Sequence, residues 1–191
     1  MKHYILAIKT VVTGLLFLIV SNVVAQVATE PVGIFSMGPQ IGYFKSQGAD
    51  GGQVMWGGAA RIKLGDVLGL EASVNYREED FSRGAEKVKS WPVMVTGLLY
   101  PIPVLYGAVG AGWYNSSIEF NTPSGETLSS ETSQSVGWHF GGGLELPVGT
   151  VAKIVGDVRY VFLDYKFQKL PGSDGSSSNF YVIDVGLLFN L

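Results

Sequence analysis

The stretch NFYVIDVGLLFNL, residues 179–191, gives the clearest indication of structure because its side chains alternate without interruption. One face carries Tyr181, Ile183, Val185, Leu187, Phe189 and Leu191, and the other carries Val182, Asp184, Gly186, Leu188 and Asn190. Period-two alternation predicts a β-strand whose two faces meet different surroundings. An apolar strand with a free edge would invite aggregation in water. We therefore expect a lipid-facing strand with a paired edge, and the alternative is an edge strand in a soluble sandwich.

The same alternation recurs through the chain in runs separated by Gly, Pro, Asn, Asp and Ser. It predicts strands at residues 34–45, 53–64, 68–80, 88–100, 104–118, 133–146, 151–165 and 179–191. Each run has about ten or more residues, which is the length that a tilted strand needs to cross a bilayer. Short turns alternate with longer polar loops, as in bacterial outer-membrane barrels. The fold class is therefore all-β, an eight-stranded antiparallel up-and-down transmembrane barrel.

Residues 1–25 are predicted to be a cleavable signal peptide, which leaves residues 26–191 as one barrel domain. Two lysines precede the apolar run 11–20, and the small residues Val23 and Ala25 precede the expected cleavage site. An N-terminal anchor helix is the alternative. The chain has no cysteine and a net charge of −3. These properties argue against a thiolate metal site and against nucleic-acid binding, and no cofactor is expected.

Charged residues fall on the strand face opposite to the apolar residues. Because hydrocarbon penalises charge, we expect them to line the lumen, which eight strands leave just wide enough for side chains. The predicted lumen network consists of Arg61, Glu71, Arg77, Glu145, Lys153, Asp157, Arg159 and Asp184. The predicted ion pairs are Arg61 with Glu71, Glu145 with Lys153, and Arg159 with Asp184. Two layers of such pairs would close the barrel.

Aromatic residues on the outward phase recur once per strand toward the long-loop end. They are Tyr43, Trp56, Tyr76, Trp91, Trp113, Trp138, Phe162 and Tyr181. Trp and Tyr favour the boundary between membrane and water. The set therefore predicts an upper aromatic girdle, although aromatic residues are also good strand formers in general.

The last strand carries a polar residue, a glycine and two terminal apolar positions at Asp184, Gly186, Phe189 and Leu191. In this pattern the chain resembles the small eight-stranded outer-membrane barrels of the OmpA-transmembrane and OmpX-like group. The resemblance implies that these four residues are an assembly signal read by the outer-membrane assembly machinery. Leu191 departs from the group, in which an aromatic residue is commoner. The implied location is the bacterial outer membrane, and the short turns place both termini in the periplasm.

Three functions are compatible with this interpretation. The first is a structural or surface-interaction role, in which the protein contacts outer-membrane lipid and an unidentified extracellular ligand through loops 46–52, 81–87, 119–132 and 166–178. The second is a narrow pore for small solutes. The third is a lipid-modifying enzyme, but His139 is followed two residues later by Gly141, where the eight-stranded lipid A deacylases have serine. We therefore expect no catalysis and expect His139 to form hydrogen bonds in the lumen.

Overall fold

The structure is a computed structural model that describes residues 34–46, 51–81, 86–121, 127–163 and 179–191. It contains eight strands: β1 (Phe35–Ser46), β2 (Gln53–Leu64), β3 (Leu68–Phe81), β4 (Glu86–Ile102), β5 (Leu105–Asn121), β6 (Thr127–Val148), β7 (Ala152–Phe162) and β8 (Phe180–Asn190). Each predicted strand overlaps one of these, which confirms the all-β fold class. No helix of the described residues is long and apolar enough to cross a membrane.

Each strand pairs antiparallel with the next, and β8 pairs with β1 to close the barrel. The stagger of the strands can be read from the ladder partners. Asn190 of β8 pairs with Ser36 of β1, Ser36 pairs with Arg61 of β2, and the same path from strand to strand returns to β8 at Phe180. The stagger is therefore ten residues along β8, from 190 to 180. A fixed stagger of this kind tilts the strands and sets the barrel's width. Because the apolar strand β8 has a partner on both sides, it presents no free edge.

The outside of the barrel is apolar and the inside is polar. In β8, buried and exposed residues alternate, with Asp184 6% exposed beside Ile183 and Val185, which are 47% and 53% exposed. On β3, Glu71 is buried whereas Leu70 is exposed. A protein dissolved in water would have the opposite arrangement. The strand faces therefore fit a hydrocarbon environment.

Two of the tight turns are built on glycines with positive φ. Gly65 has φ +81° between β2 and β3, and Gly149 has φ +60° between β6 and β7. L-residues rarely adopt this backbone conformation, whereas glycine does so without steric cost. Of the predicted long loops, residues 47–50, 82–85, 122–126 and 166–178 lie outside the described residues. The other residues of the predicted loop 119–132 belong to β5 and β6 instead.

Strands β4 and β6 extend further toward the long-loop end than predicted. Pairing continues to Glu86 in β4 and to Thr127 in β6, whereas the predicted strands begin at residues 88 and 133. Apart from Leu128, the residues of these extensions are polar, so they have no apolar alternation that would indicate a strand. Backbone pairing with β3 and β5 defines these extensions instead.

Candidate functional site: the barrel lumen

At the turn end of the lumen, Glu145 is held by several positive groups. Its Oε1 lies 3.0 Å from Nζ of Lys63 and 3.1 Å from Nζ of Lys153. Its Oε2 accepts a 2.8 Å hydrogen bond from the Tyr100 hydroxyl and lies 3.2 Å from Nη1 of Arg61. The Lys63 ammonium also lies 4.5 Å from the centre of the Tyr100 ring. This cluster fills the turn end of the lumen.

Arg61 connects the turn end to the middle of the lumen. Its Nε donates a 2.6 Å bond to Glu71, and Nη2 donates a 2.8 Å bond to the Tyr106 hydroxyl. Nη2 also lies 3.6 Å from Asp157. Tyr106 in turn donates a 2.7 Å bond to Asp157. One guanidinium, only 2% exposed, thus contacts carboxylates on three other strands, and such charge-assisted bonds are among the stronger hydrogen bonds.

Arg159 occupies the middle of the lumen. Its Nε and Nη2 each donate a 2.8 Å bond to Asp157, one to either carboxylate oxygen. Its Nη1 lies 2.8 Å from Oε1 of Glu71 and donates a 3.2 Å bond to the Thr96 hydroxyl. The contact with Glu71 is a charge pair whose geometry is not that of an aligned hydrogen bond.

The predicted pairing of Arg159 with Asp184 is wrong. Strand register places Arg159 opposite Val182 and places Asp184 opposite Asp157. Oδ1 of Asp184 is buried and has no hydrogen-bond partner among the described residues. A shift of two residues preserves which face each side chain occupies, so alternation alone could not fix this register.

The loop end of the described lumen is closed mainly by apolar side chains. This apolar plug contains Phe44, Met55, Met94, Tyr114, Val161, Leu163, Phe180 and Val182. The Arg77 guanidinium lies within it, 4.1 Å from the ring centre of Phe180, 5.0 Å from that of Phe44 and 5.7 Å from that of Tyr114. Aromatic rings therefore surround the Arg77 guanidinium at this level, whereas the predicted second layer of ion pairs is represented by Arg159 with Asp157.

His139 faces the lumen and is fully buried. Its Nε2 lies 2.9 Å from the Thr96 hydroxyl, which confirms the expected hydrogen bond in the lumen. Nδ1 has no hydrogen-bond partner among the described residues, so no carboxylate orients the ring. The histidine therefore lacks the arrangement of base and orienting acid that activates a hydroxyl nucleophile. Across the part of the chain that the structure describes, no cluster of His, Asp and Glu could hold a metal ion.

Lys63, Tyr100 and Tyr106 also belong to the lumen network, although they are not among the residues predicted to line it. Their inward phase was readable from the alternation of their strands. Inward glycines make room for the polar groups: a Cβ at Gly110 would lie 2.7 Å from Nε2 of His139, and one at Gly143 would lie 2.6 Å from the Tyr106 hydroxyl.

The eight outward aromatic residues named above lie on the outer surface. Six of them are 42–63% exposed, and Tyr76 and Phe162 are half-buried. Strand register pairs Trp56 with Tyr76 and Trp138 with Phe162. The rings of the second pair are stacked, with their centres 4.0 Å apart. In the last strand, Asp184 points inward, whereas Phe189 and Leu191 are 46% and 75% exposed.

A closed eight-stranded barrel with an apolar exterior and a charged lumen is typical of outer-membrane proteins. The sequence matches the family described as outer membrane protein beta-barrel domain over residues 13–189. The chain belongs to this family. It is a transmembrane β-barrel protein of the outer membrane, as the resemblance implied. A search of curated proteins finds no match.

Solved outer-membrane barrels share this fold at low sequence identity. Neisserial surface protein A is 12% identical with a TM-score of 0.57, and the match covers 85% of this chain and 100% of that one. A major outer membrane protein from Thermus thermophilus is 14% identical with a TM-score of 0.55, covering 82% and 99%. Ail, the attachment invasion locus protein of Yersinia pestis, is 16% identical with a TM-score of 0.51, covering 83% and 99%. These similarities show the fold alone.

Proposed function

We propose that this outer-membrane barrel has a structural or surface-interaction role and that its lumen is closed to solutes. The observation that carries the proposal is that buried side chains occupy the lumen at each of its described levels. The cluster around Glu145 fills the turn end, Arg61 and Arg159 fill the middle, and the apolar plug fills the loop end. Eight strands leave little interior volume beyond that of such side chains.

We also propose that the protein has no catalytic role. His139 is buried in the lumen, where membrane lipid does not reach, and its hydrogen-bond partner is Thr96, which also accepts a bond from Arg159. Comparison of lipid A by mass spectrometry, with and without the protein, tests this. We expect identical profiles, and a protein-dependent change in acylation would support the lipid-modifying alternative.

The remaining assignments of this proposal concern orientation and partners. Residues 1–25 act as the signal peptide, and the short turns and both termini lie in the periplasm. The girdle residues contact the outer-membrane interface, and the last strand engages the assembly machinery. The long loops carry the interaction with an extracellular ligand. The polar segments between the strands at the loop end support this division of roles.

Conductance of the purified barrel in a planar lipid bilayer tests whether the lumen is closed. We expect no steady openings, because every level of the described lumen contains buried side chains. A variant in which Arg61, Glu145 and Lys153 are replaced by alanine should also stay closed, because Arg159 and the apolar plug still block the lumen. Steady openings of the unmodified protein would favour the narrow-pore alternative.

Replacement of the long loops by short Gly-Ser turns tests the interaction role. We expect these variants to insert and to keep the heat-modifiable gel migration of a folded barrel, while losing surface-dependent phenotypes. Loss of insertion would instead show that the loops serve barrel formation.

A further inference from the structure

A second group of polar side chains, buried except for the half-buried Gln40, lies on the wall formed by β8, β1, β2 and β3, apart from the ion pairs. This polar patch consists of Gln40, Ser73, Asn75 and Asp184. Asn75 accepts a 2.7 Å bond from Gln40 through Oδ1. In contrast, Oγ of Ser73, Nδ2 of Asn75 and Oδ1 of Asp184 are buried without a hydrogen-bond partner among the described residues. Such groups in native proteins normally bond to protein or to ordered water.

Glycines allow two of these side chains to lie flat against the barrel wall. Gly42 is the partner of Asp184 in the ladder, and a Cβ there would lie 2.0 Å from Oδ1 of Asp184. Gly57 is the partner of Asn75, and a Cβ there would lie 2.4 Å from Oδ1 of Asn75. The patch is bounded toward the turns by the contact of Ala59, Val155 and Leu188. Toward the loops it is bounded by the apolar plug.

Asp184 is an additional carboxylate beside the ion-pair network of the lumen. The cations of that network are Arg61, Lys63, Lys153 and Arg159, and its carboxylates are Glu71, Glu145 and Asp157. The lumen also contains the buried charged residues Arg77 and Asp184. In the strand ladder, Asp184 lies directly opposite Asp157. Like charges in this relation repel unless something separates them.

Arg159 is a near neighbour of Asp184 without contacting it directly. It is opposite Val182, so it is a diagonal neighbour of Asp184 on the same face, and Cα atoms in that relation are about 7–8 Å apart. Its guanidinium bonds to Asp157 and Thr96 and pairs with Glu71. Within the described residues, no direct ion pair joins it to Asp184. Two polar groups that are too far apart for a direct bond can be bridged by an ordered water molecule.

We propose that water molecules bound between the polar patch and the ion-pair network make Asp184 the water-separated partner of Arg159. Water can donate to Oδ1 of Asp184 and accept from Nδ2 of Asn75, which no single protein group does here. Buried water characteristically makes two to four such bonds to polar groups. The site thus brings Asp184 into the network without a direct contact.

A high-resolution crystal structure of the full chain in a lipidic phase tests the proposal directly. We expect ordered water at about 2.7–3.2 Å from Asp184 Oδ1 and Asn75 Nδ2, with one molecule also bonded to Arg159. A direct contact between Asp184 and Arg159, a cation at the patch, or a dry patch would overturn it.

A double-mutant cycle in lipid vesicles tests the same coupling in solution. Asp184→Asn and Arg159→Gln should be non-additive by about threefold or more in the unfolding equilibrium constant. The control pair, Asp184→Asn with Lys153→Gln, should be additive because Lys153 bonds to Glu145 at the turn end. Additivity of the Arg159 cycle would refute the partnership while leaving the closed lumen of the proposed function intact. If Arg159→Gln fails to fold, the crystal structure decides.

Discussion

At the level of single residues, the lumen depends most on Arg61, because its guanidinium is shared among several acids. It is buried and lies within 3.6 Å of Glu71, Glu145 and Asp157. A buried ion pair adds little net stability relative to apolar residues, because both charges must be desolvated. Removing one partner is different, since it leaves the others as buried charges without compensation. Arg61 therefore matters more through the acids that it neutralises than through its own bonds.

Arg61→Met should consequently lower the free energy of unfolding by about 3–5 kcal/mol. The matched control is Lys63→Met, which removes a positive charge whose side chain is 16% exposed at the turn end, where Lys153 remains on the same carboxylate oxygen. We expect a clearly smaller loss from the control. Urea unfolding in lipid vesicles measures both free energies. Equal losses would show that the effect of removing a charge does not depend on how deeply that charge is buried.

The inward phase of the charged residues was predictable from alternation, and so were the pairs Arg61–Glu71 and Glu145–Lys153, which flank tight turns. The partner of Asp184 was not, because the last two strands are joined by a long loop that leaves their register free. The tyrosines of the lumen were missed for another reason. An aromatic residue suggests the membrane boundary, yet Tyr100 and Tyr106 use their hydroxyls inside the barrel.

At the level of strands, the seam between β1 and β8 is where the barrel closes. Its ladder runs from Ser36 to Met37 and resumes at Gln40, so Gly38 and Pro39 have no assigned partner in β8. Proline has no N–H to donate to a ladder. At Gly38 the two strands approach closely, because a Cβ there would lie 2.0 Å from the Leu187 carbonyl oxygen.

Gly38→Ala should therefore impair closure of the barrel, because the added methyl meets backbone that cannot move away. The matched control is Gly97→Ala in β4, where the nearest atom to a Cβ would be 3.6 Å away. Heat-modifiable gel migration after refolding reports the closed fraction. We expect a reduced folded band for the first variant and an unchanged band for the second. A full folded band for both variants would mean that strands β1 and β8 shift to accommodate the added methyl group.

The tight turn at Gly65 gives a second prediction at the level of strands and turns. Gly65→Ala should destabilise the barrel by about 1–2 kcal/mol, because an L-residue is strained at positive φ. Gly107→Ala is the control, since both sites have no atom within 4 Å of a Cβ but only Gly65 has positive φ. Urea midpoints in lipid vesicles compare them, and equal midpoints would argue against backbone strain at the turn.

At the level of the whole molecule, the charged interior and apolar exterior specify a membrane as the solvent, but they do not specify direction. Turning the barrel over would leave the lumen and the lipid-facing surface unchanged. The proposed orientation rests on the two ends of the barrel, because outer-membrane barrels have short turns on the periplasmic side and longer loops outside. Asp66 lies in a short turn of the structure, whereas Ser176 belongs to a long loop outside the described residues.

Cysteine labelling tests this orientation without a background signal, because the chain has no cysteine. In intact cells, a membrane-impermeant maleimide should label Ser176→Cys but not Asp66→Cys, since the outer membrane shields periplasmic turns. After the outer membrane is permeabilised, both should react, which controls for accessibility of the thiol at residue 66. Labelling of Asp66→Cys alone in intact cells would reverse the assigned orientation, and with it the assignment of the long loops to the cell surface. The barrel itself would stand, because its strand pairing and lumen contacts are independent of which end faces outward.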